Sequence, residues 1–187
     1  VMMQTRLCAN SPNLGGTSVN QDGRSASLMA PNGPAQQAVI ARAMHQCDTH
    51  HSALIEVHGT GTILGDPIEV NALQLITSQS ECSVELGAIK SQIAHSEGAA
   101  GIAGLIKVSY TMANLCTPPN LHLTETNPNI TDHEFVLPSQ CTNRRPYTTW
   151  NAGVSSFGFS GTNAHAVLQM SSARAPVKMV DQAQAQY

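Results

Sequence analysis

Two histidines, His58 and His95, share one local setting: each follows a short apolar run and precedes a helix-forming segment. The first lies in Glu56-Val57-His58-Gly59-Thr60-Gly61-Thr62. A histidine at the end of a buried strand, followed by a glycine-rich turn, is held rigidly yet opens onto a cavity. Gly59 and Gly61 let a ligand approach the backbone, and the Thr60 and Thr62 hydroxyls can hold a polar one. The plain alternative is a strand-to-helix turn whose histidine is satisfied by a backbone carbonyl, and spacing alone leaves the two readings level. A phosphate-cradling loop is excluded, because no Gly-Lys-Ser/Thr follows the turn. The second histidine lies in Ala88-Ile89-Lys90-Ser91-Gln92-Ile93-Ala94-His95-Ser96-Glu97, with Lys90 at a strand end and His95 just before a helix. Singly, such residues are more often structural than catalytic. Two strand-end histidines in successive β-loop-α units are harder to dismiss, since open α/β sheets bind ligands at the carboxyl ends of their strands.

A third cluster runs from Ala152 to His165 around Gly158-Phe159-Ser160-Gly161-Thr162-Asn163. Its plain reading is a glycine-rich hairpin. Its sharper reading is an oxyanion-binding backbone turn at Gly158 with Phe159 as an aromatic gate. His165 enters a strand and reads as structural.

The elements that must position these residues follow from pattern and punctuation. Val1–Asn20 reads as a strand and loop, and Gln21–Gly33 is turn-rich. Pro34 opens a helix running to about Cys47. Ala53–Val57 is a buried-strand candidate. Asp66 caps a helix with Pro67 at its first position and Glu69 at its third, reaching about Thr77. Val84–Ile89 is the next strand, and Ser96 and Glu97 start a Gly/Ala-rich helix extending to about Cys116. Gly98, Gly101 and Gly104 let another backbone come close, and this helix is expected to be largely buried. Lys107 near its middle argues against a membrane span. After Thr117-Pro118-Pro119 comes an irregular stretch with a short strand at Phe135–Leu137. Ala152–Phe157 and Ala164–Met170 form a hairpin. The order predicts an α/β core over residues 1–170, and 171–187 reads as a linker or tail.

Composition narrows the classes. Of 187 residues, 41% are hydrophobic and only 11% charged, which excludes disorder. The net charge is -3, and the nearest approach to a basic run is Arg144-Arg145, so no nucleic-acid partner is implied. Five cysteines at wide spacing, with no CxxC pair, argue against a zinc site and a disulfide framework. They read as reduced thiols of a cytosolic-type compartment. No two of the eight histidines fall at i, i+4 on one predicted helix face, so no metal centre is expected. Val1–Asn10 lacks a basic segment followed by an apolar stretch, so no secretion signal is read there. A cytoplasmic or plastid-stroma location is expected, with no membrane association.

Together these segments resemble the β-ketoacyl synthases of the thiolase superfamily, particularly the ketosynthase domains of polyketide synthases. The resemblance is carried by Thr17 to Ser25, Ala30 to Gln36, Glu56 to Thr62 with Leu64-Gly65-Asp66-Pro67-Ile68-Glu69, Lys90 to Lys107, and Ala152 to Leu168. It implies the C-terminal half of a thiolase-like α/β fold, with a five-stranded mixed sheet flanked by helices. It also implies a decarboxylative condensation between an acyl group held on a cysteine and a malonyl-type extender on acyl carrier protein. His58 and His95 would be the catalytic pair, donating ring N–H groups to the enolate oxygen, and one of them would manage a proton. Lys90 would orient and tune the site. Thr60 and Thr62 would bind the phosphopantetheine arm. Phe159 would be the gate and, with Gly158, part of the oxyanion turn.

No cofactor is expected to bind directly, since the phosphopantetheine arrives on the carrier protein. The partners implied are the N-terminal half of the ketosynthase, acyl carrier protein, and a second copy in a homodimer. Two departures stand out. Ala94 and Gln92 replace a glycine and an asparagine of the family's loop, and Ala94 is strained where that position needs φ > 0. No cysteine here has the family's nucleophile context, so the chain alone is expected to be inactive in condensation. Competing readings are a chain-length-factor-like or degenerate ketosynthase, a fatty-acid-synthase condensing domain, and a degradative thiolase using coenzyme A.

Overall fold

The computed structural model describes residues 11–25, 30–47, 52–78, 83–130, 135–143 and 149–171. The tail reading for 171–187 falls almost wholly outside the described residues, as do Arg144, Arg145, Cys8 and Cys82.

Strand β1 (Asn13–Gln21) leads to helix α1 (Gly33–His45), strand β2 (Leu54–Glu56), helix α2 (Gly65–Thr77) and strand β3 (Glu85–Gly87). A one-turn helix α3 (Lys90–Ile93) and a 3-10 turn at Glu97–Ala99 precede helix α4 (Ala100–Asn114). Strands β4 (Cys116–Thr117), β5 (Thr142–Asn143), β6 (Thr149–Phe157) and β7 (Thr162–Ser171) complete the order. Five strands form one mixed sheet in the order β1-β7-β6-β2-β3. β7 runs antiparallel to both β1 and β6, whereas β2 is parallel to β6 and β3. β4 and β5 pair separately.

Strand alternation divides the core in two. Leu54, Trp150, Ala152, Val154, Leu168 and Met170 pack against Val108 and Met112 of α4. Ile55, Leu86, Phe157 and Val167 pack with Val39, Ile40 and Met44 of α1 and with Val70 and Leu73 of α2. Each fully buried aliphatic side chain contributes about 1.5–3 kcal/mol relative to exposure. The sheet is thus sandwiched between α1 and α2 on one side and α4 on the other.

Several expected elements differ in extent. α1 begins where Asn32 accepts the Ala35 N–H at 3.1 Å, with Pro34 in its first turn. α2 starts at Gly65, and Asp66 does not cap it. The Asp66 carboxylate turns back to accept the Gly61 N–H at 3.1 Å. The strand expected over Val84–Ile89 ends at Gly87, so Lys90 opens α3 rather than closing a strand. The strand expected at Phe135–Leu137 is a single parallel bridge between Val136 and Glu85.

α4 is half buried, not largely buried. Gly104, Lys107, Val108, Thr111 and Met112 face the sheet, while Ile102, Ile106 and Tyr110 are 53%, 52% and 70% exposed. A side chain at Gly104 would meet Glu56 and Val154 within 3.3 Å, and one at Gly101 would meet Ser156 at 3.1 Å. Gly98 has no such neighbour. Lys107 on the buried face pairs with Glu56 at 2.7 Å, the compensation that a buried charge requires.

The cysteine reading needs a larger correction. Cys116 and Cys141 form a disulfide, with Cα atoms 6.5 Å apart. The β4–β5 ladder pairs Cys116 with Asn143 and Thr117 with Thr142, which brings together cysteines 25 residues apart. Cys47 is a free thiol. Among the described residues no helix is long and apolar enough to cross a membrane.

Candidate functional site

β2 and β3 are parallel neighbours, so both release their chains at one edge of the sheet. His58 leaves β2 two residues after Glu56, and His95 follows α3 beyond β3. Their rings meet edge-on, with centroids 5.5 Å apart and planes at 85°. Phe157, at the end of β6, lies 5.7 Å from the His58 ring.

The His58 turn is held by carboxylates from α2. Glu69 is 4% exposed. It accepts the His58 N–H at 2.7 Å on one oxygen and the Gly59 N–H at 2.9 Å on the other. Asp66 takes the Gly61 N–H. Gly59 and Gly61 have φ of +45° and +74°, conformations that a side chain would strain. The Thr62 hydroxyl accepts the Gly65 N–H at 3.0 Å and lies 3.4 Å from the Thr60 hydroxyl.

The second loop is fixed differently. His95 accepts the Glu97 N–H on Nδ1 at 2.9 Å. With Nδ1 accepting that bond, Nε2 is the ring's donor toward a ligand. Ala94 adopts φ +62°, ψ -172°, a region nearly reserved for glycine. The anticipated strain at this position is therefore present. Gln92 donates to the Pro119 carbonyl at 3.0 Å. The Ile89 N–H donates to the Glu56 carboxylate, which joins this loop to the strand that launches the other.

A cavity of about 860 Å³ opens at this edge. Thr60, Asp66, Glu69, Lys90 and His95 line it, with residues 120–130 forming the facing wall. His58 is not among the lining residues, and its buried Nδ1 has no hydrogen-bond partner among the described residues. Burial, helped by Lys90 and His95, pushes the His58 pKa down to about 4, so its imidazole is neutral. Burial pushes Glu69 up to about 7, against the pull of its two N–H donors. Lys90 is also lowered by burial, although Glu69, Glu56 and Asp66 oppose the shift. The result is a neutral His58 ring and a His95 Nε2 donor beside one lysine and two carboxyl groups. Such a pair can donate hydrogen bonds to an oxygen acquiring negative charge.

The third cluster lies apart from this cavity wall. Gly158 and Gly161 close the β6–β7 turn, with Gly158 N–H donating to Thr162 O at 2.6 Å. Phe159 on that turn is 76% exposed. The phenyl ring against His58 is Phe157, not Phe159. His165 is buried in β7, with Nδ1 3.0 Å from the Ser155 hydroxyl. From sequence Glu69 reads only as the third position of a helix start, and Asn120 carries no signal of its own. Asp66 and Glu69 sit three apart at a helix start, the spacing that aims two carboxyls at one turn. Among the described residues no cluster of metal-binding side chains occurs.

Comparison with known proteins adds a family. The family described as "Beta-ketoacyl synthase, C-terminal domain" matches residues 13–124. A phenolphthiocerol/phthiocerol polyketide synthase of Mycobacterium tuberculosis is 44% identical over 170 residues, covering 87% of this chain and 11% of that protein. Polyketide synthase GfsE of Streptomyces halstedii is 43% identical over 171 residues, covering 87% of this chain and 4% of its own length. Ketosynthase twelve of the Bacillus amyloliquefaciens bacillaene polyketide synthase superposes with a TM-score of 0.81 at 34% identity. That match covers 88% of this chain and 31% of the solved one. The module 6 ketosynthase of the Bacillus subtilis bacillaene synthase gives 0.80 at 31% identity, over 85% and 30%. The chain thus spans a small part of its curated relatives and under a third of the solved ketosynthases.

Proposed function

The chain belongs to the β-ketoacyl synthase family, and from that premise we propose that it supplies the histidine side of a decarboxylative condensation in a polyketide synthase. One observation carries the reading: the His58 and His95 rings meet at one sheet edge, with centroids 5.5 Å apart, where His95, Lys90 and Thr60 line a single cavity.

In the proposed reaction the malonyl thioester loses carbon dioxide, and the electrons of the broken C–C bond become an enolate. His95 Nε2–H and the His58 ring donate to the enolate oxygen. The enolate carbon attacks the carbonyl of an acyl-cysteine supplied from elsewhere in the ketosynthase, and the cysteine leaves as thiolate. Lys90 balances the carboxyl groups of Glu69, Asp66 and Glu56. Thr60 and Thr62 receive the phosphopantetheine arm of acyl carrier protein, and the exposed Phe159 turn is where a gate would act. The assembled ketosynthase would work as a homodimer.

The test supplies acyl and malonyl carrier proteins to the chain alone and to the chain joined with its N-terminal half. Condensation is expected only from the joined protein, with loss on His58→Ala or His95→Ala. A joined protein that binds carrier protein without condensing would favour the chain-length-factor-like alternative. Product from the isolated chain would overturn the reading.

A further inference from the structure

Resting on the condensation reading, we propose that Asn120 is a positioning residue for the Lys90–His95 loop, its carboxamide replacing a peptide group that the edge of β3 lacks. On the outer side of β3 the Val136 N–H donates to Val84 O, and the Leu86 N–H donates to Val136 O, both at 2.9 Å. A parallel ladder repeats this pattern two residues on. It would need the N–H of residue 138 for Leu86 O, and the carbonyl of residue 138 for the Ala88 N–H.

Residue 138 is proline, which has no N–H, and its carbonyl already accepts the Asn120 N–H at 2.8 Å. The Asn120 side chain makes both missing bonds. Nδ2 donates to Leu86 O at 2.9 Å, and Oδ1 accepts the Ala88 N–H at 2.8 Å. Only one orientation of the amide satisfies both, because one partner is an acceptor and the other a donor.

This graft lies two residues before Lys90. On the inner side of β3, Gly87 O accepts the Val57 N–H at 2.8 Å, and the Ile89 N–H goes to the Glu56 carboxylate. The exit of β3 is therefore gripped from both flanks up to the lysine. Asn120 is 7% exposed and lines the cavity. Removing its amide leaves Leu86 O and Ala88 N–H without these partners and frees the outer flank of the loop.

The test uses the whole ketosynthase, with its N-terminal half. Asn120→Ala should lower kcat for malonyl decarboxylation about tenfold, as a small misplacement of a catalytic group does, with KM and acyl loading unchanged. Asn120→Asp separates positioning from bulk. Its neutral carboxyl offers one O–H donor and one acceptor and reproduces both bonds, whereas its carboxylate repels Leu86 O. The titratable groups lining the same cavity are Asp66 and Glu69 from α2, Lys90 and His95 from the loop, and His122 and Glu125 from its own segment. Asn120→Asp should match wild type at acid pH and fall to the alanine level as the new carboxyl ionises, an acid-favoured limb added to the wild-type profile. That profile also decides the matter where Asn120→Ala does not fold. Wild-type kcat in Asn120→Ala, or a wild-type pH profile in Asn120→Asp, would overturn the role. Decarboxylation independent of His58 and His95 would overturn the condensation reading and this role with it.

Discussion

Glu69 presents both carboxyl oxygens to the backbone of the His58 turn, and burial gives it and the histidines opposite pH dependences. Glu69 is raised from 4.5 to about 7. The folded protein keeps a proton there that the unfolded chain gives up, so this group's contribution falls as pH rises between those values. His165 is lowered by burial to about 3, and His58 to about 4, both from 6.5. The unfolded chain holds protons there that the folded one lacks, so their contribution rises up to pH 6.5. Asp66, raised by burial, acts in Glu69's direction at the acid end. Stability is therefore expected to climb between pH 4.5 and 6.5, two histidines against one glutamate. His165→Gln should flatten that climb by about 1.4 kcal/mol per pH unit. Denaturant titrations read through buried Trp150 would show it; equal slopes in the two proteins would refute it. Ala94→Gly should stabilise by about 1 kcal/mol, the strain relieved less the entropy glycine adds. A melting temperature unchanged or lowered would mean that the strain is absent. The Ala94 effect was legible in sequence because a glycine is replaced where the turn needs one. Glu69 was not, because its partners are main-chain N–H groups, which carry no residue-type signal.

Elements set what those residues can reach. The strand-loop-helix order around His58 and His95 put both histidines after strand ends, and β2 and β3, parallel neighbours, release both loops at one edge. The half-buried state of α4 was hidden, because its glycines predict contact on one face and say nothing of the other. The Cys116–Cys141 disulfide was hidden too, since it depends on a ladder of two residues per strand. It closes a loop whose residues 120–130 form one wall of the cavity. Closing a loop of that length restricts the unfolded chain by about 3 to 4 kcal/mol. Cys116→Ser, or reduction with dithiothreitol, should lower stability by that amount and speed amide exchange across residues 120–130. The check is a denaturant midpoint with and without reductant, followed by exchange mass spectrometry. All five cysteines reacting with a thiol reagent in non-reducing denaturant would sink the assignment.

At the scale of the whole molecule the two faces of the sheet are unequally covered. α1 and α2 lie together on one side, and α4 lies alone on the other. The outer face of α4 carries Ile102, Ile106 and Tyr110 at successive i, i+4 positions, each more than half exposed. Such a stripe is the usual mark of a contact surface rather than of a solvated helix face. The solved ketosynthases it resembles are about three times as long as the part it matches. The isolated chain is therefore expected to bind a hydrophobic dye and to self-associate with rising concentration. Ile102→Lys and Ile106→Lys together should suppress both effects while leaving the buried face of α4, with Val108 and Met112, undisturbed. In the protein joined to its N-terminal half the same pair should be costly, by about 1–3 kcal/mol for each charge forced into an apolar contact, and dye binding should be low without any substitution. Analytical ultracentrifugation with dye titration separates the cases. An isolated chain that stays monomeric and dye-silent, or a joined protein indifferent to both lysines, would show that this face is simply solvated.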